Sequence, residues 1–388
     1  MKKTVTVLMP CLNEAITLPV CIRKAKDALE KMGGCVDGEV LVADNGSNDG
    51  SIEIAESMGA RVIHVEQRGY GSALRAGIDA AKSEYIIMGD ADDSYDFSAI
   101  KVFVDKLDEG FDLVMGDRFA GGIQPGAMSF SHKYIGNPVL SGIGRLFFKT
   151  KIRDFHCGMR GFRKESIQKL DLCTTGMEFA SEMVVKAVLF GLKISEVPIK
   201  LYPDGRNRPP HLRSLPDGWR HLKFLLIYSP KWLFFYPGLL MTIIGFVGML
   251  ILSCFTIHIG KVQFEITTMF YFAILLLTGC QAVQFSLFTN IYGKKIGQLP
   301  ATSKLFDNLE SFISRFGLGM ALLLVLAGLT GIIATLVTWS GVGFGELPDM
   351  SVHRLAILFG TLFILGIQFF FSGFFINVLY MGDEKIWG

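Results

Sequence analysis

The chain has 388 residues, half of them hydrophobic, with 32 phenylalanines and a formal net charge of only +2. At ~150 residues per domain this length implies two or three units rather than one core. The near balance of charge gives no reason to expect a nucleic-acid partner, and the apolar excess gathers after Trp232. The seven cysteines, Cys11, Cys21, Cys35, Cys157, Cys173, Cys254 and Cys280, contain no C-x-x-C, so structural thiols in a reducing compartment are expected. Lys2 and Lys3 precede an apolar run that Pro10, Asn13 and Glu14 end within one strand length, so no signal peptide is expected.

Strands are predicted at Thr4–Pro10, Glu39–Asp44, Arg61–Glu66, Tyr85–Asp90 and Leu113–Arg118, with helices at Glu14–Lys31, Gly50–Met58, Gly71–Lys82 and Phe97–Glu109 between them. Val- and Ile-rich strands alternating with amphipathic helices predict a mainly parallel, Rossmann-like α/β sheet covered on both faces. Ligands of such sheets bind beyond the carboxyl ends of the strands. The polar loops fall there: Pro10-Cys11-Leu12-Asn13-Glu14, Asp44-Asn45-Gly46-Ser47-Asn48-Asp49-Gly50, Asp90-Ala91-Asp92-Asp93 and Gly116-Asp117-Arg118. Further on, a helix is predicted at His132–Lys149, a strand at Gly158–Arg163, a helix at Glu178–Phe190 and a strand at Ile194–Tyr202, before a basic stretch containing Arg206, Arg208, Arg213, Arg220, His221 and Lys223.

Four apolar spans follow, at about 233–257, 267–289, 317–339 and 353–380. Each reaches the ~20 residues that cross a bilayer, and their interiors lack charge. Trp232, Tyr236, Tyr292, Trp339 and Tyr380 near their ends fit interfacial belts. The domain boundary is therefore set at 230/231. Lys294, Lys295, Lys304 and Arg315 weight the middle loop, against Lys261 in one outer loop and none between Ser340 and Ser351 in the other. An even number of spans with that bias makes the chain a multi-pass membrane protein with both termini and the N-terminal domain in the cytoplasm. Residues 217–229 and the 303–316 loop read as interfacial helices or as helices packed against the N-terminal domain, because apolar and polar residues alternate there at helical spacing.

Asp90 and Asp92, two positions apart at a strand's exit, lie on one side of an extended chain, and the small Ala91 between them leaves room for a ligand. Such a pair suits a hard divalent cation that keeps waters and substrate phosphates as further ligands. Asn45-Gly46 favours a turn, and Ser47, Asn48 or Asp49 would cap the next helix; this explains Asp44 less well, since Asp44 ends its strand where a nucleoside could sit. The glycines of Arg68-Gly69-Tyr70-Gly71 and Gly77 have the wrong spacing for a dinucleotide fingerprint and read as a turn with close helix packing.

In order and spacing, Pro10–Glu14, Asp44–Gly50 and Asp90-Ala91-Asp92 resemble glycosyltransferase family 2, which has the GT-A fold. Gly116–Phe119 and Val197-Pro198-Ile199 extend the resemblance to the polyprenyl-phosphate glycosyltransferases, a subgroup that includes the dolichol-phosphate mannose and glucose synthases. It covers about residues 4–230. The resemblance implies an inverting transfer of a hexose from a nucleotide sugar, UDP- or GDP-linked, to a polyprenyl phosphate such as dolichol or undecaprenyl phosphate. It implies that Pro10, Asn13, Glu14, Asp44, Asn45 and Ala91 bind the donor, and that Asp90 and Asp92 hold Mg²⁺ or Mn²⁺ on the diphosphate and, with Arg118, carry catalysis. Lys133, Arg206, Arg208 and Arg213 are then expected on acceptor or donor phosphate. A further metal ligand often lies two positions after the second Asp; Ser94 stands there, so Asp93 or water would substitute. Asp154, His156 and Cys157 belong to a segment that would underlie the acceptor, and Glu182 could reach the cleft or face solvent. Homo-oligomerisation stays open. The alternatives are a processive polysaccharide synthase, whose usual Q-x-x-R-W motif is absent, and a non-catalytic scaffold or lipid translocator, against which the intact Asp44, Asp90 and Asp92 argue.

Overall fold

The computed structural model describes residues 2–206, 214–301, 303–346 and 350–381. The chain divides into two compact units, Met1–Tyr228 and Ser229–Gly388. The first holds β1 (Lys3–Cys11), α1 (Leu18–Lys31), β2 (Val36–Asp44), α2 (Ser51–Ser57), β3 (Arg61–His64), α3 (Tyr70–Ala80), β4 (Tyr85–Met88), α4 (Ile100–Asp108), β5 (Leu113–Asp117), α5 (Arg118–Gly121), α6 (Asn137–Phe148), β6 (Arg160–Arg163), α7 (Lys164–Gln168), α8 (Phe179–Leu189), β7 (Ile194–Pro198) and α9 (Ser214–Ile227). The strands form one seven-stranded sheet in the order β3-β2-β1-β4-β6-β5-β7.

Residues two apart on a strand share a face, and this divides the core into two layers. Val5, Val7 and Met9 pack with Leu18 and Ile22 of α1 and Phe103 of α4. Leu8 and Leu41 turn the other way, toward Leu74 of α3 and Phe179 and Met183 of α8. With both faces covered, the strands are apolar almost throughout, the parallel-sheet signature.

Three expectations shift. Helix α1 begins at Leu18, not Glu14, because the Leu18 and Thr17 amides close a turn on the Glu14 carbonyl and Pro19 falls in the first helical turn, where no N–H is needed. β6 runs antiparallel to both β4 and β5; it is only four residues long and returns from the excursion after α5 rather than from a helical crossover. β7 stops at Pro198, short of Tyr202.

The second unit holds α10 (Tyr236–Cys254), which follows one wide π turn at Lys231–Phe235, and a two-stranded hairpin of β8 (Ile257–Ile259) and β9 (Val262–Phe264). It continues with α11 (Ile266–Lys295), α12 (Lys304–Gly341) and α13 (Met350–Leu379). All four helices are long and apolar enough to cross a membrane. Leu240, Ile243, Phe246 and Leu250 on α10 and Leu322, Leu323 and Leu326 on α12 lie exposed, the inverse of a water-soluble bundle. Polar side chains turn inward instead: Ser372 donates to Gln284 Oε1 at 2.8 Å and Ser286 to the Pro230 carbonyl at 3.1 Å. The 303–316 segment, expected as a separate helix, is the first part of the continuous α12, since no proline interrupts it before Gly317.

Candidate active site

β1 pairs with β2 on one side and β4 on the other, so the chain order reverses at β1/β4 and a crevice opens beyond those strands' carboxyl ends. Cys11 is level with Asp44, and Leu8 with Met88. This register brings the loops carrying Pro10–Glu14, Asp44–Gly50 and Asp90–Asp92 to one edge.

Backbone amides lace the first two loops together. Asn13 N–H donates to Ser47 Oγ (2.9 Å), Asn48 N–H to Asn13 Oδ1 (2.8 Å), Glu14 N–H to Ser51 Oγ (2.9 Å) and Ala15 N–H to Asp49 Oδ2 (3.0 Å). Asn13 adopts the left-handed conformation that Asn tolerates, φ +58°. Asp44 is buried, and its carboxylate accepts the Gly46 (2.9 Å) and Ser47 (3.2 Å) amides; the turn explains Asp44 better than expected. Asn45 spans to the next loop: its Nδ2 donates to the Val65 and Gln67 carbonyls (3.1 and 2.8 Å) and its Oδ1 accepts Gly69 N–H (2.7 Å). Pro10 lies half-buried at the end of β1.

The acidic pair follows β4. Asp90 Oδ1 accepts the Tyr70 hydroxyl at 2.9 Å. Asp92 Oδ1 accepts both the amide (3.1 Å) and hydroxyl (2.5 Å) of Ser94. Arg206 bridges the cluster: Nη1 lies 3.3 Å from Asp92 Oδ2, while Nε and Nη2 reach Glu14 at 3.0 and 2.7 Å. Burial and the neighbouring Asp92 push the Asp90 carboxyl up to about 6. Burial, with Asp90 second, pushes the Tyr70 phenol well above its ordinary value, so it remains a donor.

These residues fit a divalent cation. Two carboxylates converge where the only counter-charge touching Asp92 Oδ2 among the described contacts is a guanidinium, and no cluster of three or more His, Cys, Asp or Glu exists among the described residues. Such a donor set leaves coordination positions for water and diphosphate oxygens. Neither Ser94, at the usual position of the further ligand, nor Asp93, its expected substitute, is turned toward a cation at the pair, which leaves water for that place. Ser94 braces Asp92, and Asp93, at φ +62°, turns to Lys24 Nζ at 2.7 Å. Ala91, expected to leave room for a ligand, is buried in the core beneath the pair.

Arg118 also differs from expectation. Its Nε and Nη2 form a bidentate pair with the fully buried Asp154, at 2.6 and 2.7 Å. Two donors expected on phosphate are thus satisfied within the protein, because a buried carboxylate needs that partner. Lys133 is half-buried in a wide turn at His132–Gly136, 5.4 Å from the Tyr134 ring centroid. Among the described residues no hydrogen bond or ion pair joins it to the acidic cluster. Around it Phe130, Tyr134, Ile135 and Val139 are exposed. Arg208 and Arg213 lie outside the described residues. His156 meets His221 edge-on at 4.6 Å, with the Ser181 hydroxyl 2.8 Å from His221 Nδ1. Burial pushes the Cys11 thiol to about 11 and the Cys157 thiol to about 12, as inert structural thiols require. Glu182 neither reaches the cleft nor faces water: it is fully buried, 2.9 Å from Lys186 Nζ. Tyr70 was read from sequence only as part of a turn; an aromatic hydroxyl at the mouth of the third βα loop was the available signal.

A GT-A sheet with a carboxylate pair at its switch point, joined to four membrane-length helices, defines a membrane glycosyltransferase. Residues 6–171 match the model of glycosyl transferase family 2, and residues 287–380 that of the glycosyltransferase family 2 C-terminal transmembrane region. The low-salt glycan biosynthesis hexosyltransferase Agl6 of Haloferax volcanii is 35% identical over 97% of this chain and 89% of its own. The dolichyl-phosphate hexose transferase of the same organism is 32% identical over 42% of this chain and 68% of its own. The chain belongs to glycosyltransferase family 2. Among solved structures, glucosyl-3-phosphoglycerate synthase of Mycobacterium tuberculosis with Mn²⁺, UDP and glucosyl-3-phosphoglycerate is 22% identical, with 58% of this chain and 78% of that chain covered and a TM-score of 0.45.

Proposed function

We propose that the enzyme transfers a hexose from a nucleoside-diphosphate sugar to a polyprenyl phosphate at the cytoplasmic leaflet. The observation that carries this reading is the Glu14–Arg206–Asp92 bridge beside Asp90, at the sheet's switch point. A carboxylate pair and a guanidinium at one edge of the sheet are what a departing diphosphate requires. The names of the Haloferax relatives, one a dolichyl-phosphate hexose transferase, support a lipid phosphate as acceptor.

The phosphate monoester of the acceptor has a second pKa near ~6, so its oxygen is largely ionised at neutral pH and needs little help from a base. That oxygen attacks the anomeric carbon, the bond from that carbon to the diphosphate oxygen breaks, and the nucleoside diphosphate leaves with the electron pair, inverting the centre. A divalent cation held by Asp90 and Asp92 would supply charge neutralisation for the leaving diphosphate. Arg206 leaves Glu14 and Asp92 to hold diphosphate oxygens, and freed Glu14 turns to the nucleoside with Asn13 and Asn45. Lys133, among exposed Phe130, Tyr134 and Ile135, meets the acceptor phosphate where its polyprenyl chain emerges.

The test uses purified full-length protein with Mn²⁺, a short-chain polyprenyl phosphate and a panel of radiolabelled nucleotide sugars. Lipid-extractable label from at least one donor is expected, and Asp92→Asn should reduce it ~10²-fold or more. No label from any donor defeats the reading. Label that survives Asp92→Asn unchanged removes the acidic pair from the mechanism.

A further inference from the structure

We propose that Tyr70 is a positioning residue that aims Asp90 at its cation, held in place by a buried brace running from α8. The inference rests on the diphosphate reading above. Asp90 is confined on two sides. Its Oδ1 accepts the Tyr70 hydroxyl at 2.9 Å, and its Oδ2 faces the Gly158 backbone so closely that a Cβ on Gly158 would stand 2.5 Å from it. Gly158 is fixed in turn by its own N–H, which donates to the Tyr95 hydroxyl at 2.8 Å. The carboxylate plane is therefore set by one hydroxyl and one backbone wall.

Tyr70 opens α3, and the chain on both sides of it is clamped. Gly69 N–H donates to Asn45 Oδ1 at 2.7 Å, and Gly69 takes φ +133°, closed to other residues. The Thr174 and Thr175 backbone lies directly on this turn: a Cβ on Gly69 would stand 2.2 Å from the Thr175 carbonyl oxygen, and one on Gly71 2.5 Å from that of Thr174. That segment is fastened by Glu182, which accepts the Cys173 and Thr174 amides at 3.0 and 2.8 Å and the Thr174 hydroxyl at 2.6 Å. A rigid path therefore leads from the buried Glu182 through Thr174–Thr175 and the two glycines to the Tyr70 hydroxyl. Groups that orient a metal-bound carboxylate in this way typically govern metal affinity by ~10–100-fold.

The experiment is a Mn²⁺ titration of the detergent-purified full chain with UDP or GDP present, followed by the loss of the free-Mn²⁺ electron paramagnetic resonance signal. Alongside it come the Tm and the steady-state kinetics. Tyr70→Phe removes one oxygen and no volume. It should weaken Mn²⁺ binding ~10-fold or more and raise the Mn²⁺ concentration needed for half-maximal turnover in step, with Tm unchanged. Tyr70→Leu also removes the hydroxyl and should weaken Mn²⁺ binding at least as much; it is the variant compared if Tyr70→Phe does not fold. Wild-type Mn²⁺ affinity in both variants overturns the inference and leaves the diphosphate reading standing. Failure of the wild-type protein to bind Mn²⁺ with either UDP or GDP present overturns both.

Discussion

Arg206 has two acidic partners, and a cation at Asp92 would compete with its guanidinium for the same oxygen, Oδ2. Arg206→Ala removes both that competitor and a charge on the leaving group. With saturating lipid, turnover should fall ~10²-fold, while Mn²⁺ affinity without donor should hold or rise; unchanged turnover would free Arg206 of any role in transfer. Gly158 gives a second, steric handle. In Gly158→Ala the new methyl would meet Asp90 Oδ2 at 2.5 Å with a tyrosine-bonded carboxylate unable to retreat. Mn²⁺ affinity and turnover should drop together, and a variant with wild-type values would show that Asp90 moves freely. What sequence reveals at this scale follows chain distance. Asp90 and Asp92 or Asn13 and Glu14 are adjacent enough to announce a motif. The Tyr70–Asp90 bond spans 20 residues and the Arg118–Asp154 pair 36, so their pairing exists only once the sheet is folded. Sequence alone gives no sign that Arg118 pairs with Asp154 or that the Asp44 carboxylate accepts the Gly46 and Ser47 amides.

The α8 brace makes an element-scale expectation possible. Burial pushes the Glu182 carboxyl up, but the Thr174 hydroxyl, Lys186 and the Cys173 and Thr174 amides outweigh it and hold the carboxyl below its ordinary range. A group whose folded pKa is depressed contributes stability above its unfolded pKa, ~4.3 for Glu, and that contribution is lost as pH falls through the lower folded value. Wild-type Tm should therefore fall on acidification from about pH 4.3 downward more steeply than that of Glu182→Gln. At neutral pH the variant leaves Lys186 buried beside a neutral amide, at a cost of about 3–5 kcal/mol. Parallel melting curves of the two proteins across pH decide it; equal slopes would mean that Glu182 is not ionised in the fold. The parallel strands β1 to β5 were legible because Val and Ile runs punctuated by helices leave few other arrangements. β6 was legible as a strand but not in its direction: Arg160-Gly161-Phe162-Arg163 carries one large apolar residue in four, and its antiparallel run is imposed by the two strands it enters between. For α12 the amphipathic start and the apolar remainder differ in composition but not in backbone preference, so one helix spans both.

At the scale of the whole molecule, the four membrane-length helices among the described residues would return a spanning chain to the side on which it started. α9 ends at Ile227 and the first membrane-length helical stretch begins at Lys231. The connection between α11 and α12 carries Lys294 and Lys295 at one end and Lys304 at the other, whereas the β8–β9 hairpin contributes only Lys261. The α12–α13 connection carries Glu346 and Asp349, and Arg354 at the start of α13 reaches the Thr256 hydroxyl beside the hairpin. Basic residues are retained on the cytoplasmic side of short loops, so the proposed cytoplasmic-leaflet reaction predicts the catalytic unit and the α11–α12 connection inside and the hairpin outside. Cysteine labelling in intact cells with a membrane-impermeant maleimide tests this. Cys254, exposed at the carboxyl end of α10, is first replaced by serine to silence it. Val342→Cys should then label from outside, while Ala301→Cys should label only after the membrane is opened. The reverse pattern would place the acidic pair on the far side of the membrane from cytoplasmic nucleotide sugars and would refute the cytoplasmic-leaflet reaction, whatever the site's chemistry.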